Sequence, residues 1–460
     1  MGSNHDERRT DEVEPQSPRV TSAAPKVATA TLALTLTIAF LGWMFDGMEM
    51  GLYSIAIRPA LDDLMGTTDP ARVAPIQGFT LTMFLTGMAA GGIVFGWLGD
   101  RIGRVRTMVV TILVYAVFTG LSGLSQHWWH LAACRFLGSM GLGGEWGLGV
   151  ALVMETWPNA SRPLLAGILG AAANFGFLAS SGVGALQAHF GWSWRMVLVA
   201  GVIPALLTMF IRMAVKEPEK WVRAKERGEK PRWSELFGPS LRRYTLVGCG
   251  LGAVAVLGMW GSYQSWVQSW VSDLVRAGLH PPGTDEAALK ALQTEAIKDA
   301  IWTTTFWMSI GAIVGAVLGG LIGEWFGRRL SYALLCVTAW LAALALYLTC
   351  DSYGPRLLFL TAVFGVPATA FFGWLPLYLP ELFPTRLRSS GEGFCFNVGR
   401  VISAIGAYFT GHLVKLFRSD QVGPDPAATA KAAAVMATIF LVGIIVLFFA
   451  PETKGRELPE

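Results

Sequence analysis

The chain has 460 residues with 53% hydrophobic and 15% charged side chains, 36 Lys and Arg against 32 Asp and Glu, and a mean hydropathy of +0.47. Soluble globular chains carry about 25% charged residues, so there is too little solvated surface here for two or three soluble domains. A net charge of +4, dispersed along the chain, excludes a nucleic-acid-binding surface. Eight blocks of 19 to 29 residues (78–99, 107–126, 163–188, 244–272, 301–323, 330–350, 357–380 and 432–450) contain no Asp, Glu, Lys or Arg. About 20 mainly apolar residues at 1.5 Å rise cross the hydrocarbon core of a bilayer. Four further apolar stretches, 31–57, 129–153, 194–211 and 389–414, are interrupted by ionisable groups. The expectation is an all-α membrane protein of twelve transmembrane helices.

In chain order, residues 1–30 are polar and lack the apolar core of a signal peptide, and read as a disordered cytoplasmic tail. Span 1 carries Asp46 and Glu49, three residues apart on one helical face, with Asp46 ~22 Å from the start of the span. Span 2 runs into GWLGDRIGR (96–104), where Asp100 is placed to complement the N-terminal dipole of a neighbouring helix, and Arg101 and Arg104 to pair across the loop. Span 4 runs the other way and places Arg135 six residues in from its outer end, at a depth that predicts an Asp46–Arg135 pair. Glu145, mid-span in GGEWG, is expected to hydrogen-bond within this half or to touch substrate. GLGGEWG has no preceding strand, so its glycines read as packing rather than a nucleotide fingerprint. ETWPNASR (155–162) follows, with Glu155 and Arg162, and span 5 offers Asn174 as a lining residue.

The hydrophilic segment 212–243, expected to be partly helical and amphipathic, divides the spans six and six. Span 7 contains WGSYQSWVQSW (260–270), whose Tyr263, Gln264 and Gln268 form a polar lining, while Trp266 and Trp270 suit an outer aromatic belt. A short helix from Asp285, N-capped by Thr284, is expected in the outer loop 273–299. Span 8 repeats small residues at Gly311, Gly315, Gly319 and Gly323; span 5 (172, 176, 180, 184) and span 11 (399, 403, 407, 411) show the same spacing, which lets helix backbones approach. GLIGEWFGR (320–328) then supplies Glu324 and Arg328, and ELFPTRLR (381–388) supplies Glu381 and Arg388. Span 10 adds Phe371, Phe372 and Trp374 as lining candidates. In span 11, Arg400 lies ~16 Å deep with Asn397 three residues earlier; a guanidinium fork suits a carboxylate, the alternative being a structural pair with Glu392. His189 and His412 fall near outer ends, where solvated roles are expected. The five cysteines lie in or at the ends of spans without a CxxC pair, so neither a metal site nor a disulfide framework is expected.

Six ionisable residues lie well inside spans: Asp46, Glu49, Arg135, Glu145, Glu392 and Arg400. Each costs about 2.5–3.5 kcal/mol at a helix centre, so such groups face a cavity or a partner. With the N-terminus inside, 24 Lys and Arg fall on the cytoplasmic side and 9 outside, which favours both termini in the cytoplasm. GWLGDRIGR recurs as GLIGEWFGR at an offset of 224, ETWPNASR as ELFPTRLR at 226, and Pro218-Glu219 as Pro451-Glu452. The layout is therefore two parallel six-helix bundles, 31–211 and 244–450, joined by 212–243 and followed by a cytoplasmic tail, 451–460.

These repeated motifs, together with CRFLGSMGLGGEWG, PELFPTRLRSSGEG and the terminal PETKGREL, carry a resemblance to the major facilitator superfamily over essentially the whole chain beyond residue 30. FDGMEMG, GGEWG and GFCFNVGR look most like the proton symporters of sialate and monocarboxylates, with the aromatic-acid group close behind; PETKGREL is shared with sugar porters. The resemblance implies a carboxylate–arginine proton-coupling site (Asp46, Glu49, Arg135) and a gate at Asp100, Arg101, Arg104, Glu155, Arg162, Glu324, Arg328, Glu381 and Arg388. The expected protein is a transporter of the cell membrane, not an enzyme, moving a small organic acid with protons and needing no cofactor beyond the proton gradient, with a single chain as functional unit. A neutral-sugar symporter, a facilitator or exchanger, and a non-transporting receptor are the alternatives; span 7 lacks the paired adjacent glutamines of sugar porters.

Overall fold

The computed structural model describes residues 29–67, 69–202, 215–279, 286–418 and 425–460. The tail 1–28, the Thr284 cap and the second half of span 6 lie outside the described residues, as do the side chains of 403–412, including His412.

Helices α1 (Thr29–Met65), α2 (Pro70–Ile102), α3 (Arg104–Gly123), α4 (Trp128–Thr156) and α5 (Arg162–Phe190) form the N-terminal bundle with a helical segment, α6, over 194–202. The amphipathic α7 (Glu219–Glu226) follows in the connecting segment. The C-terminal bundle consists of α8 (Arg242–Gly258) and α9 (Ser265–Gly278), joined by a π-helical turn at Met259–Gln264, then α10 (Glu286–Phe326), α11 (Arg328–Thr349), α12 (Pro355–Tyr378), α13 (Arg388–Phe417), α14 (Pro426–Met436) and α15 (Ile439–Leu447). Taking α8–α9 and α14–α15 as one span each, twelve spans result, and ten described segments are long and apolar enough to cross a bilayer. The helices turn apolar side chains outward. Val110, Leu113, Val117 and Leu121 on α3, and Leu330, Leu334, Val337 and Leu341 on α11, are exposed at helical spacing, as a lipid-facing surface requires.

The short helix expected at Asp285 is not a separate element. Residues 286–300 continue unbroken into span 8 as one 41-residue helix, because this stretch is rich in Ala, Leu, Glu and Lys and has no Gly or Pro to stop it.

Small residues set the packing. Gly311, Gly315 and Gly319 of α10 rest on the backbone at Ala362, Val366 and Ala370 of α12; Gly91 and Gly143 bring α2 and α4 together, and Gly47 and Gly176 join α1 to α5. The bundles meet where Gly92 and Gly96 of α2 accept Asn397 and Ser389 of α13, and where Gly167 and Gly320 bring α5 onto α10. These contacts lie toward the membrane face that holds the start of α1 and the C-terminal tail, here called the terminus face.

Candidate functional site: a buried ion-pair cluster and a gate

Within the N-terminal bundle, Glu49, Asp46 and Arg135 are each at most 3% exposed. The pair that forms is Glu49–Arg135, Oε1 to Nη1 2.6 Å, and not the expected Asp46–Arg135. Thr119 donates to the same Glu49 oxygen (2.8 Å), and Arg135 Nε donates to Ser122 (3.0 Å). Both hydroxyls belong to α3, so α3 fixes which carboxylate Arg135 meets. Asp46, one turn nearer the terminus face, instead acts electrostatically on Arg400 of the opposite bundle.

Arg400 is partly buried on α13. Its Nη1 donates to Asn397 Oδ1 (2.9 Å) and its guanidinium lies 4.8 Å over the Phe396 ring; it pairs with Asn397 rather than Glu392. Asn397 is fully buried and donates to the Gly393 carbonyl (2.8 Å), so it orients Arg400 instead of lining a cavity. Phe396 stacks on Trp146 of α4 (4.0 Å), which meets Trp43 of α1 edge-on (6.0 Å), while Phe372 of α12 meets Phe396 edge-on (6.0 Å). This aromatic cluster spans the bundle interface beside Arg400. Trp43, Trp146 and Phe396 were not singled out from sequence, although Trp146 directly follows Glu145 and Phe396 directly precedes Asn397.

Other expected lining residues are placed differently. Tyr263 is fully buried in the C-terminal bundle, donating to the Thr361 carbonyl (3.0 Å) and packing edge-on against Phe364. The π-helical turn ends at Gln264 and regular α-helix follows from Ser265, so Gln264 and Gln268 keep their four-residue spacing and are both half-buried. Gln268 donates to Thr305 of α10 (3.3 Å). Trp374 is fully buried against Tyr332 and Tyr378. Phe371 is buried against Tyr332 and Phe440. Glu145 is 1% exposed within α4, and Asn174 8% on α5.

On the terminus face Asp100 reaches across the bundle interface to the N-terminus of α13. It accepts from Ser389 N (3.1 Å), Ser390 N (2.8 Å) and Ser390 Oγ (2.6 Å), and lies 3.1 Å from Arg104. Glu155 Oε1 accepts from Arg104 of its own bundle (3.0 Å) and Arg388 of the other (2.8 Å). Arg104 also donates to the Thr385 carbonyl (2.6 Å). All four side chains are fully buried.

The repeated counterparts in the second half do not cross. Arg328 pairs with Glu381 (2.6 Å) and Glu324 (2.9 Å), all within the C-terminal bundle. Arg162 feels the charges of Glu155 and Glu381, but among the described residues it forms no ion pair with either. The reason is legible in the helix starts: Asp100 meets Ser389-Ser390, which offer two N–H groups and a hydroxyl, whereas the matching position on α5 is Pro163, which has no N–H to give. Arg101 stands apart from the cluster, exposed, with its guanidinium 4.9 Å over the Trp97 ring.

Two acidic residues clamp the starts of α3 and α11. Glu217 accepts from Val105 N (3.2 Å) and Arg106 N (3.0 Å); Glu452 accepts from Arg328 N (2.9 Å), Arg329 N (3.0 Å), Thr453 N (3.1 Å) and Lys454 N (3.0 Å). The repeat of Glu452 is therefore Glu217, not Glu219, which pairs with Arg223 on the surface of α7. Burial would raise the Glu452 carboxyl, but these backbone donors outweigh it and hold it below the usual carboxylate range. The tail then runs under the gate, where the Pro459 carbonyl accepts from Arg388 Nη2 (2.7 Å).

All five cysteines are free thiols, and among the described residues no cluster of His, Cys, Asp and Glu is suited to hold a metal ion.

Residues 32–407 match the family model described as Major Facilitator Superfamily. A probable 4-methylmuconolactone transporter of Cupriavidus pinatubonensis is 30% identical over 92% of this chain and 91% of its own length. A cis,cis-muconate transport protein of Acinetobacter baylyi is 26% identical over 84% and 89%. Among solved structures, a proton:xylose symporter bound to 6-bromo-6-deoxy-D-glucose superposes with a TM-score of 0.71 at 16% identity, covering 94% of this chain and 98% of that one. At that identity the likeness concerns the fold.

Proposed function

The chain belongs to the major facilitator superfamily of membrane transporters, and from that premise we propose that it is a proton-coupled symporter that takes up a small organic anion by alternating access. The terminus face is the cytoplasmic one, the bilayer is the cell membrane, and a single chain is the working unit. The observation that carries this reading is the pair of charge centres at mid-depth: Glu49–Arg135 enclosed in one bundle, and Arg400, oriented by Asn397, on the other within the field of Asp46. The named cargo of the Acinetobacter relative, cis,cis-muconate, supports an anionic substrate.

The geometry suggests the following division of labour. Asn397 occupies one donor of Arg400, and Phe396 covers one face of its guanidinium, so its remaining donors are free to meet a carboxylate in a planar, two-pronged contact. Trp43, Trp146 and Phe372 supply the apolar wall that an organic acid's carbon skeleton needs. Glu49 is the proton carrier: if rocking separates it from Arg135, it is left as a buried charge without its partner, a state relieved by taking up a proton. Asp46, three residues from Glu49 on α1, acts electrostatically on Arg400, so a substrate anion arriving on Arg400 changes the field beside the proton site. The gate then sets which face is open, since Asp100 and Glu155 each bind groups of the opposite bundle and must release them for the cytoplasmic side to open.

Reconstitution tests the reading. In proteoliposomes an inward proton gradient should drive accumulation of a labelled organic acid, and Glu49→Gln should abolish accumulation while leaving substrate exchange between preloaded and external pools. Hexose accumulation alone would favour the sugar-symporter reading, gradient-independent uptake a facilitator, and no movement of any cargo a receptor.

A further inference from the structure

Glu392 stands one turn into α13, fully buried, and among the described residues neither carboxylate oxygen has a hydrogen-bond partner. The charged groups that act on it come from four helices: Asp100 from α2, Arg104 from the start of α3, Glu155 from α4 and Arg388 from α13 itself. The titratable thiol of Cys395 follows on the next turn. Each charged neighbour is already committed. Arg388 holds Glu155 and the carbonyls of Pro380 and Pro459; Arg104 holds Glu155 and the Gly99 and Thr385 carbonyls; Asp100 is filled by Ser389 and Ser390. Two arginines thus balance two carboxylates, and Glu392 is a fifth group with neither counter-charge of its own nor donor among the described residues. A buried carboxyl so placed is carried at low cost only in its neutral form.

We propose that Glu392 is a proton-binding site of the cytoplasmic gate, separate from the Glu49–Arg135 site. It holds a proton while α13 is docked on α2 and α4. When the gate opens, the proton leaves its carboxyl oxygen for cytoplasmic water, and the resulting carboxylate opposes reclosure until a proton returns. The proposal rests on alternating access with this face cytoplasmic, but not on the identity of the cargo. The sign follows: low cytoplasmic pH favours the closed gate, and rising pH opens it. For one linked proton the closed-to-open ratio falls by up to about tenfold per pH unit.

Two measurements test this. In the wild-type protein, dicyclohexylcarbodiimide, which adds to protonated carboxyls in apolar surroundings, should modify Glu392, as read by peptide mass spectrometry, and the yield should fall as pH rises. Separately, spin labels at the exposed positions 106 and 329, on a background lacking the native cysteines, report the distance across the gate without any cargo. The wild-type distance distribution should shift toward open as pH rises, Glu392→Gln should flatten that shift by up to tenfold per pH unit, and Glu392→Asp should restore it. An unmodified Glu392, or Glu392→Gln with the full wild-type pH response, overturns the proposal. Gradient-independent cargo uptake beside an intact gate response would remove the symport reading and leave this site standing; the converse pattern would remove the site alone.

Discussion

Asp100→Asn is the substitution whose consequence follows most directly from the geometry. Asp100 accepts three hydrogen bonds from Ser389 and Ser390, all across the bundle interface. Asn keeps one acceptor oxygen and turns an NH2 toward a backbone N–H, so at least one bond is lost and the others lose their charge. A hydrogen bond to a charged group contributes about 1.5–3 kcal/mol, and a carboxylate at a helix N-terminus a further ~1 kcal/mol. The closed gate should therefore weaken by roughly 2–4 kcal/mol, or about 30- to 1,000-fold in the closed-to-open ratio. The repeat supplies the control. Glu324, its counterpart, is 45% exposed and among the described residues pairs with Arg328 alone, one turn on, so Glu324→Gln should cost at most ~0.5 kcal/mol. Interspin distances across the terminus face, with labels on the exposed ends of α3 and α11, read both variants. Equal shifts for the two, or an unmoved distribution for Asp100→Asn, would refute the asymmetry of the gate.

Other outcomes follow from the same contacts. Arg135→Leu leaves Glu49 buried without its counter-charge and should cost about 3–5 kcal/mol of stability, whereas the double variant Arg135→Leu/Glu49→Leu should recover much of that loss in thermal unfolding. Arg400→Lys keeps the charge but loses the fork, and should weaken anion binding by at least about tenfold, measured as the substrate concentration for half-maximal exchange. Glu452 is held below the usual carboxylate range, so its contribution is present at neutral pH and is lost as pH falls through that lowered value. Glu452→Gln should therefore cost about 1 kcal/mol near pH 7 and progressively less as pH falls through that lowered value, read as the difference in unfolding midpoint from wild type at each pH.

Much of this architecture is legible in the chain, for identifiable reasons. Charge-free blocks mark lipid-spanning helices, and the repeated GWLGDRIGR and ETWPNASR segments locate the gate. The placement of Asp100 at a neighbouring helix start follows from its position at the end of a span. Which acid meets Arg135 is not legible, because the choice depends on Thr119 and Ser122 of α3, a helix with no ionisable residue in its span. Tyr263 and Trp374 look like lining because a polar or aromatic group in an apolar helix has two solutions. Here a backbone carbonyl inside the bundle satisfies Tyr263, and Trp374 packs its ring against neighbouring tyrosines. The gate's asymmetry was present in Pro163 against Ser389, but it becomes visible only once Asp100 is known to reach across.

The central claim is that proton movement and organic-anion movement are coupled through Glu49 and Arg400. Its most direct test is the simultaneous recording of internal pH and labelled organic-acid efflux from proteoliposomes holding the wild-type protein. An outwardly directed substrate gradient, with no initial pH difference, should make the lumen more alkaline than substrate-free controls, and Glu49→Gln should abolish this while exchange continues. Substrate efflux without any change in internal pH would contradict it.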